Sequence, residues 1–444
     1  MFLALVWMAA IENVILKGES LMKNSNRLKV VIVGAGFGGL LAAKVLANAP
    51  VDVLIIDRNN YHTFLALLYQ VAAAELQPEN IIFPIRKIIR KLPNVSFLMA
   101  EVENIDCGKK IVQTNRKEAA YDYLILAAGS DTNYFNIPGV EEHSFPLKTI
   151  DESIILRNHI ISIFEKAAEE HDEEKLKKML NFVIVGGGAT GVEFSGALNE
   201  LVRRLMLKDF PKLDLSLVKV SLLEASDRLL AAMPENCRNY AAEHLRKMGV
   251  KVCFNSLVQK IEKDAVHLKG GEIIQSETVV WTAGVCGAPF AKKLQLKKGP
   301  DSRIIVLPTL QSVSCENVYT AGDLAYLIDE ESGKPFPMLA QVAMQQGTLA
   351  AKNIMRQIKG ESLEAFKYKD LGAMATIGRN LAVARIGKKA YTGFWAWLLW
   401  LIVHLVRLVG YRNRAIVFIN WAWNYFLYER VSQLIYPSQK YKGR

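Results

Sequence analysis

Cysteine is scarce in this 444-residue chain, and its five cysteines are scattered along the sequence. No two of them stand at CxxC spacing. Their scatter argues against a disulfide framework, a zinc knuckle and a dithiol redox centre. The simplest expectation is therefore a protein of a reducing compartment. The five cysteines are Cys107, Cys237, Cys253, Cys286 and Cys315.

Acidic residues are nearly missing from the last part of the chain. From Arg379 onward there are eleven lysines and arginines and one acid, Glu429. This segment has a net charge of +10, which is almost all of the chain's formal +11. A basic tail suits either nucleic acid or an anionic membrane surface. Because these charges frame Trp- and Leu-rich runs, we expect lipid and no nucleic acid.

The sequence also lacks an apolar run of spanning length. The run FWAWLLWLIVHLVRLV (394–409) has sixteen residues before GYRNR interrupts it, whereas a span needs about 20. Arg407 at a bilayer centre would cost about 2.5–3.5 kcal/mol on insertion scales. At the interface the same charge is favoured by anionic lipid. We expect this run and the following AIVFINWAWNYFLY to lie in one leaflet; a core helix and a true span are the alternatives.

The first residues are a poor targeting signal. MFLALVWMAAIENVILKGESL has no basic n-region, contains Glu12 and Asn13, and is too short in its apolar part for a span. Met22, followed by KNSNRLKVVIVGAG, resembles a natural start. We interpret residues 1–26 as an N-terminal extension without a functional role.

A glycine loop follows the first β-branched strand. In LKVVIVGAGFGGLLAAKVLANAP, residues Gly34, Gly36 and Gly39 form GxGxxG. The first glycine allows the turn, the second lets the backbone approach a pyrophosphate, and the third lets the helix pack on the strand. The next strand ends in Asp57, 18 residues after Gly39, where a carboxylate can bind an adenosine ribose. Together these features predict a dinucleotide site.

The same pattern occurs a second time. NFVIVGGGATGVEFSGALNEL contains Gly186, Gly188 and Gly191, again between a strand and a helix. The following strand, VKVSLLEAS, ends in Glu224. A carboxylate at that place favours a free 2′-hydroxyl and hence NADH over NADPH. Arg228 nearby leaves NADPH open.

Two such loops predict two dinucleotides whose redox ends can meet. YDYLILAAGS (121–130) and ETVVWTAGVCG (277–287) resemble the segments that close each nucleotide domain in two-dinucleotide flavoproteins. ENVYTAGDLA (316–325) resembles their second FAD motif, in which an aspartate, here Asp323, meets the ribityl chain. The resemblance implies FAD in the first site and NAD(P)H in the inserted one.

The expected fold class is α/β. It has two Rossmann-like, three-layer dinucleotide-binding domains, the second inserted in the first, and a C-terminal membrane-docking region with amphipathic helices. The expected parts are the extension 1–26, the FAD domain 27–140 and 300–355, the NADH domain 141–299, and the C-terminal region 356–444.

Cysteine positions narrow the choice among such flavoproteins. Disulfide reductases need a CxxxxC or CxxC pair, which this sequence lacks. Sulfide:quinone oxidoreductases need cysteines beside the flavin. Cys286 and Cys315 are the ones whose positions suit that zone, and both also fit as ordinary core residues.

A glutamine motif points to quinone. LAQVAMQQGTLAAKNI (339–354) predicts a helix that contains AQxAxQQG. Gln341 and Gln345 are four residues apart and so share one helical face. Their amides could donate to the carbonyls of a quinone ring, and the small alanines between them leave room for it.

These features together resemble the type II NADH dehydrogenases, the single-chain NADH:quinone oxidoreductases, from about Arg27 to the C-terminus. The resemblance implies FAD as cofactor, NADH and quinone as substrates, and no proton pumping. It places Glu193 of GATGVEF near the nicotinamide and flavin, and Gln341 and Gln345 in the quinone pocket. It also implies a peripheral protein on the cytoplasmic face of the cell inner membrane, with a homodimer as a family-level expectation.

The candidate catalytic residues are therefore Glu193, Gln341 and Gln345, and we expect no metal site. A sulfide:quinone or ferredoxin-type FAD reductase is the alternative enzyme, and a membrane-bound NADH-binding scaffold is the alternative outside catalysis. The candidate cofactor-binding residues are Gly34, Gly36, Gly38, Gly39, Asp57, Arg58, Ala128, Gly129, Asp323, Gly186, Gly188, Gly191, Glu224 and Gly284.

Overall fold

The computed structural model describes residues 27–427 and 433–435; the predicted extension 1–26 lies outside them. The first part of the chain alternates strands with short helices. Its strands are β1 (Leu28–Val33), β2 (Val51–Asp57), β3 (Tyr61–Thr63), β4 (Ile82–Pro84), β5 (Val95–Met99), β6 (Val102–Asp106), β7 (Ile111–Thr114), β8 (Glu118–Ala120), β9 (Tyr123–Leu126) and β10 (Ser130–Thr132), and its helices are α1 (Phe37–Leu46), α2 (Leu68–Ala72) and α3 (Ile85–Ile89).

The middle part repeats this alternation around the second glycine loop. Its strands are β11 (Phe145–Pro146), β12 (Asn181–Val185), β13 (Lys219–Leu223), β14 (Val250–Cys253), β15 (Val258–Glu262), β16 (Ala265–Leu268), β17 (Ile273–Gln275), β18 (Thr278–Trp281) and β19 (Val285–Gly287). Its helices are α4 (Val140–His143), α5 (Ile150–Ala167), α6 (Glu173–Met179), α7 (Ala189–Glu200), α8 (Met206–Asp209) and α9 (Glu235–Lys247).

The last part contains one long helix, a small sheet and two further helices. Its strands are β20 (Ile304–Ile305), β21 (Gln311–Ser312), β22 (Cys315–Thr320), β23 (Ala325–Tyr326), β24 (Ala373–Gly378), β25 (Leu381–Ile386) and β26 (Lys389–Thr392). Its helices are α10 (Ala340–Lys359), α11 (Phe394–Arg407) and α12 (Tyr411–Leu427).

Two sheets form the framework. The first has the order β21–β22–β9–β1–β2–β5 and is parallel except at β21, and the second has the order β11–β18–β12–β13–β14 and is parallel throughout. Their central strands are buried on both faces, which explains the β-branched runs in the sequence. The chain leaves the first sheet after β9 and returns at β21. The predicted fold class, with one nucleotide domain inserted in the other, is confirmed; the domain limits in residue numbers stay predictions.

A two-stranded ribbon joins the nucleotide domains. β10, which follows β9 of the first sheet, pairs antiparallel with β19, which follows β18 of the second, so that Ser130 lies opposite Gly287. Both strands are preceded by a glycine in the left-handed region, Gly129 (φ 76°) and Gly284 (φ 72°). The carboxyl ends of the two sheets are thereby brought to the same region of the molecule.

The C-terminal part packs against both domains. β24, β25 and β26 form an antiparallel sheet, and β24 lies so close to α7 that a Cβ on Gly196 would be 1.7 Å from the Ile377 carbonyl oxygen. Within the described part of the chain, no helix combines the length and apolarity needed to cross a membrane.

Candidate functional site

The first glycine loop has the geometry that a pyrophosphate needs. Gly34 has a φ of 101°, and a Cβ on Gly39 would be 1.9 Å from the Gly34 carbonyl oxygen. A Cβ on Gly36, the N-cap of α1, would meet nothing within 4 Å. Glycine is thus required at Gly34 and Gly39, where the chain approaches itself closely. At Gly36 the missing side chain leaves open space in front of the helix N-terminus. That space fits the phosphates of a dinucleotide, which the helix N–H groups and dipole would hold.

Asp57 lies at the carboxyl end of β2, beside this loop. Its carboxylate accepts hydrogen bonds from the N–H of Ala35 (2.7 Å) and of Asn59 (2.8 Å). Burial raises the pKa of Asp57, and these two donors oppose that effect. The loop therefore holds the carboxylate in a defined orientation at the place predicted for a ribose. Its neighbour Arg58 follows directly on the strand end.

The second loop repeats the first. Gly186 has a φ of 111°, a Cβ on Gly191 would be 1.9 Å from the Gly186 carbonyl oxygen, and a Cβ on Gly188 would meet nothing within 4 Å. Glu224 lies at the end of β13 and accepts hydrogen bonds from the Gly187 N–H (2.6 Å) and from Ser226. A second dinucleotide fits here by the same argument.

Arg228 does not approach the Glu224 carboxylate as a counter-ion in this structure. Its guanidinium forms a two-point contact with Asp227, with nitrogen–oxygen distances of 2.5 and 2.7 Å. The Arg228 guanidinium is thus bound to Asp227 and is not offered to a 2′-phosphate, which supports the predicted preference for a free 2′-hydroxyl.

Asp323 lies where the two domains and the ribbon meet. The Ser130 hydroxyl donates to its carboxylate (2.5 Å), and Lys148 Nζ lies 3.8 Å from the same oxygen. The preceding Gly322 N–H donates to the Gln346 side-chain oxygen (2.8 Å). Ala128 and Gly129 lead into this region from β9, so the predicted FAD residues converge on one edge of the first sheet.

A cavity of about 470 Å³ lies between α2, α7, β24 and the two C-terminal helices. Its lining includes Glu193 of α7, Tyr69 and Gln70 of α2, Thr376 of β24, and several residues of α11 and α12. Most of the lining is apolar and aromatic. Such a cavity suits a flat, apolar ring with a few polar atoms.

Three acids line this cavity, Glu75, Glu193 and Glu200, and Glu193 is the buried one. It is buried, and burial raises its pKa to about 8. The Thr376 N–H and the Trp400 indole N–H each donate to the same carboxyl oxygen at 3.2 Å, which partly opposes that rise. A carboxyl group with this pKa holds a proton at neutral pH and can give it to a bound ligand.

A hydrogen-bonded chain continues from Thr376. Its hydroxyl lies 2.9 Å from the Tyr69 hydroxyl, Gln70 donates to the same Tyr69 oxygen (3.1 Å), and the Trp421 indole N–H donates to Gln70 (2.9 Å). Sequence analysis did not identify these residues.

The two predicted glutamines lie elsewhere. Gln341 pairs with the backbone of Leu371 and Gly372, and Gln345 pairs with the backbone of Lys369. Neither belongs to the lining of the Glu193 cavity. The structure thus brings Glu193 to the cavity but binds the glutamine amides to a neighbouring chain segment, and their direct contact with quinone stays a prediction.

None of the residues that line this cavity is a cysteine. Cys286 lies on β19, where its thiol faces the Thr132 carbonyl oxygen at 3.6 Å. Cys315 lies at the start of β22, packed against the core with Cys107. The cavity therefore offers no thiol for sulfide chemistry.

Two family models match the chain. The model described as pyridine nucleotide-disulphide oxidoreductase matches residues 28–347, and that of the NDH2 C-terminal domain matches residues 371–430. Together they cover the two nucleotide domains, β24–β26 and the C-terminal helices.

Curated relatives and solved structures agree with these matches. The type II NADH:quinone oxidoreductase Ndh of Mycobacterium tuberculosis is 35% identical over 429 residues, which are 93% of this chain and 91% of the relative. The enzyme of the same name from Staphylococcus aureus is 32% identical over 377 residues, 83% of this chain and 92% of the relative. NDH2 from Plasmodium falciparum in complex with NADH has a TM-score of 0.84 at 20% identity, covering 90% of this chain and 99% of that one. A sulfide:quinone oxidoreductase from Aquifex aeolicus has a TM-score of 0.70 at 19% identity, over 90% of this chain and 95% of that one. The two solved structures are so low in sequence identity that they support the fold alone. The family models and the identity to the curated relatives show the family. The chain belongs to the type II NADH:quinone oxidoreductases.

Proposed function

We propose that the Glu193 cavity is where quinone is reduced in an enzyme that takes electrons from NADH through FAD. The observation that carries this assignment is a buried carboxyl group with a pKa near 8 in an apolar cavity. The cavity lies where both nucleotide domains and the C-terminal helices meet. Bound FAD supplies the two-electron chemistry between NADH and quinone; the protein supplies binding, orientation and protons.

Each nucleotide has its own loop. FAD fits the first loop, with its pyrophosphate at Gly36, a ribose at Asp57 and its ribityl chain at Asp323. NADH fits the second loop, with its pyrophosphate at Gly188 and its adenosine ribose at Glu224.

The net reaction explains the need for an acid. NADH, quinone and one proton give NAD⁺ and quinol, so one proton must reach the quinone oxygen from outside the two substrates. Glu193 holds a proton below about pH 8. The Tyr69 hydroxyl also stays protonated, because burial raises its pKa well above its ordinary value. A carboxylic acid and a phenol can donate hydrogen bonds to quinone carbonyls, and the carboxyl group can transfer its proton.

The assignment is tested by separating the two half-reactions. Under anaerobic conditions NADH should bleach the flavin, and a soluble quinone should restore its colour. Ala422→Trp fills the cavity from α12 and should slow restoration without slowing bleaching. Ile419→Trp, on the exposed face of the same helix, is the matched control and should do neither. If quinone restores the flavin equally fast in both variants, the cavity is not the quinone site.

We also propose that α11 and α12 dock the enzyme on an anionic membrane surface, on the cytoplasmic face of the inner membrane where NADH is available. Apolar side chains on both helices face outward, among them Trp395 (73% exposed) and Phe426 (75% exposed). Arg407 of α11 and Arg412 of α12 are also exposed. Apolar anchors with basic neighbours suit the lipid headgroup region.

The polar face of α12 is turned to the protein. The Asn413 amide lies 2.9 Å from the Ile82 carbonyl oxygen, Asn420 donates to Asn80 (3.2 Å), and Asn424 donates to the Glu75 carbonyl oxygen (3.3 Å). This leaves the apolar face of the helix outside. Sedimentation with vesicles tests the proposal: vesicles rich in phosphatidylglycerol should bind the protein, and high salt should weaken binding. Equal binding to purely zwitterionic vesicles at every salt concentration would contradict a role for anionic lipid.

A further inference from the structure

The residues of the AQxAxQQG motif have separate structural tasks. A Cβ on Gly347 would be 2.2 Å from the Gly38 carbonyl oxygen, so this glycine lets α10 approach α1. Ala343 fits against Gly322, where a Cβ would be 2.9 Å from the alanine methyl group. Gln346 accepts the Gly322 N–H. These contacts fix α10 against the first nucleotide domain.

The two remaining glutamines face the segment 369–372. Gln341 accepts from the Leu371 N–H (3.0 Å) and donates to the Gly372 carbonyl oxygen (3.0 Å). Gln345 accepts from the Lys369 N–H (2.9 Å) and donates to the carbonyl oxygen of the same residue (2.9 Å). Each amide therefore pairs with main chain through both of its polar atoms, as a neighbouring strand would. One N–H of each amide is used in this way.

The segment 369–372 leads directly into β24. Asp370 binds Arg385 of β25 (2.7 Å) and accepts the Gly372 N–H (2.8 Å), and Gly372 has a φ of 101°. A Cβ on Gly372 would be 2.2 Å from the Arg385 carbonyl oxygen. The segment is thus held by α10 on one side and by β25 on the other. It has little freedom to shift independently of β24.

Thr376 lies four residues beyond Gly372. Its N–H donates to Glu193 and its hydroxyl contacts Tyr69. A shift of 369–372 along α10 would therefore change the hydrogen bond between Thr376 and Glu193, whose carboxyl group we assign to quinone reduction.

We propose that Gln341 and Gln345 are positioning residues, which hold the segment 369–372 on α10 and so keep Thr376 in contact with Glu193. This inference rests on the proposed role of the Glu193 cavity. It differs from a direct contact between these amides and quinone, because the amides then act through the backbone of β24.

Hydrogen–deuterium exchange measures the contact itself. In Gln345→Ala and Gln341→Ala, peptides that cover 366–372 should exchange about two- to tenfold faster, the range expected for one lost hydrogen bond. Lys352→Glu, at an exposed position on the same helix, is the control and should leave them unchanged. Unchanged exchange in both alanine variants would overturn the proposal. This readout needs no quinone, so it stands apart from the assay of the proposed function.

The pH profile separates positioning from direct binding. The Thr376 N–H lowers the pKa of Glu193, so loosening it should raise the pH at which flavin reoxidation by quinone falls to half. The loss of a direct quinone ligand would instead slow reoxidation at every pH and leave that midpoint in place. A midpoint that does not move in either alanine variant contradicts the proposal.

Gln345→Glu removes only the donor half of the pairing with Lys369. An accessible glutamate is ionised above about pH 4.3, so it can still accept from the Lys369 N–H but faces the Lys369 carbonyl oxygen with a second acceptor in place of the amide donor. Exchange of the peptides that cover 366–372 should therefore be faster than in the native enzyme, and the pH midpoint of quinone reoxidation should move in the same direction as in Gln345→Ala. Lys352→Glu, which adds the same charge to the same helix, should change neither. If Gln345→Glu behaves like the native enzyme in both measurements, the donor to the Lys369 carbonyl oxygen is not what matters.

Discussion

The two glycine loops have the same backbone geometry, but different elements pack behind their helices. Behind α1 lies α10, at a distance where a Cβ on Gly38 would be 3.0 Å from the Ala343 carbonyl oxygen. Behind α7 lies β24, where a Cβ on Gly196 would be 1.7 Å from the Ile377 carbonyl oxygen. α7 also carries Glu193. The same motif thus fits a nucleotide in both places, and the packing behind the second helix connects it to the cavity.

Valine substitutions at Gly36 and Gly188, the two glycines that face open space, should give the largest difference between the two loops. Gly36→Val should give a folded protein without flavin colour, because the new side chain fills the pyrophosphate space. Gly188→Val should keep the flavin but slow its bleaching by NADH about 100-fold or more, equivalent to roughly 2.7 kcal/mol. Absorbance spectra and stopped-flow bleaching measure both. A Gly188→Val protein that lost its flavin would show that the loops are not independent.

Glu193→Gln should slow the reoxidation of the flavin by quinone without slowing its reduction by NADH. Removing a general acid slows the step about 100-fold or more, so flavin reoxidation by quinone should fall by that order while bleaching by NADH stays within about twofold. In the native enzyme reoxidation should decline as pH rises through about 8, because Glu193 then loses its proton. The variant should lack this decline.

Glu200→Gln is the control for that experiment, since Glu200 lies on the same helix and in the same cavity. It should keep the decline near pH 8. If Glu200→Gln abolishes the decline and Glu193→Gln does not, the acid is wrongly assigned.

Alanine substitutions at Gly38 and Gly196 compare the packing of α10 against α1 with that of β24 against α7. Gly196→Ala must displace the backbone of β24 and should lower the free energy of unfolding by about 1–3 kcal/mol. Gly38→Ala needs a shift of only a few tenths of an ångström from Ala343 and should cost less. Chemical denaturation of both variants measures the difference, and a larger loss in Gly38→Ala would reverse the comparison.

The smallest expected effect is at Trp400. Trp400→Phe removes one N–H donor from Glu193, so the pH midpoint of quinone reoxidation should rise by up to about one unit, which corresponds to 1.36 kcal/mol. Trp421→Phe also removes an indole N–H from this cavity, but that N–H donates to Gln70 and not to Glu193. Its midpoint should stay that of the native enzyme, and an equal shift in both variants would mean that the bond to Glu193 is not the cause.

The nucleotide loops were predictable because each is local. Strand, glycines, helix and acid follow one another within a short stretch, and the backbone itself requires glycine at Gly34 and Gly39. The same holds for Gly186 and Gly191. Alternating strands and helices then suffice to predict the fold class.

The cavity was not predictable in the same way. Tyr69, Glu193, Thr376 and Trp400 come from distant parts of the chain and meet only through packing of α2, α7, β24 and α11. Sequence pointed to Glu193 by resemblance, and it predicted a helix in the C-terminal run, where the structure has α11. It did not indicate that Trp400 would be fully buried and bound to Glu193. The sequence also did not predict the pairing of Gln341 and Gln345 with 369–372, because these amides bind the backbone of an irregular segment.

The amide contacts of α12 have a thermodynamic consequence for membrane association. Many amphipathic segments fold only when they reach lipid, and they lose conformational entropy at that moment. Here Asn413, Asn420 and Asn424 already bind the helix to the protein, so the proposed docking surface is formed without lipid. Association should then show a heat-capacity change that matches the burial of a preformed apolar face, without the larger change of coupled folding. With the docking that we propose, the enzyme would leave and rejoin the bilayer without unfolding the wall of the proposed quinone cavity.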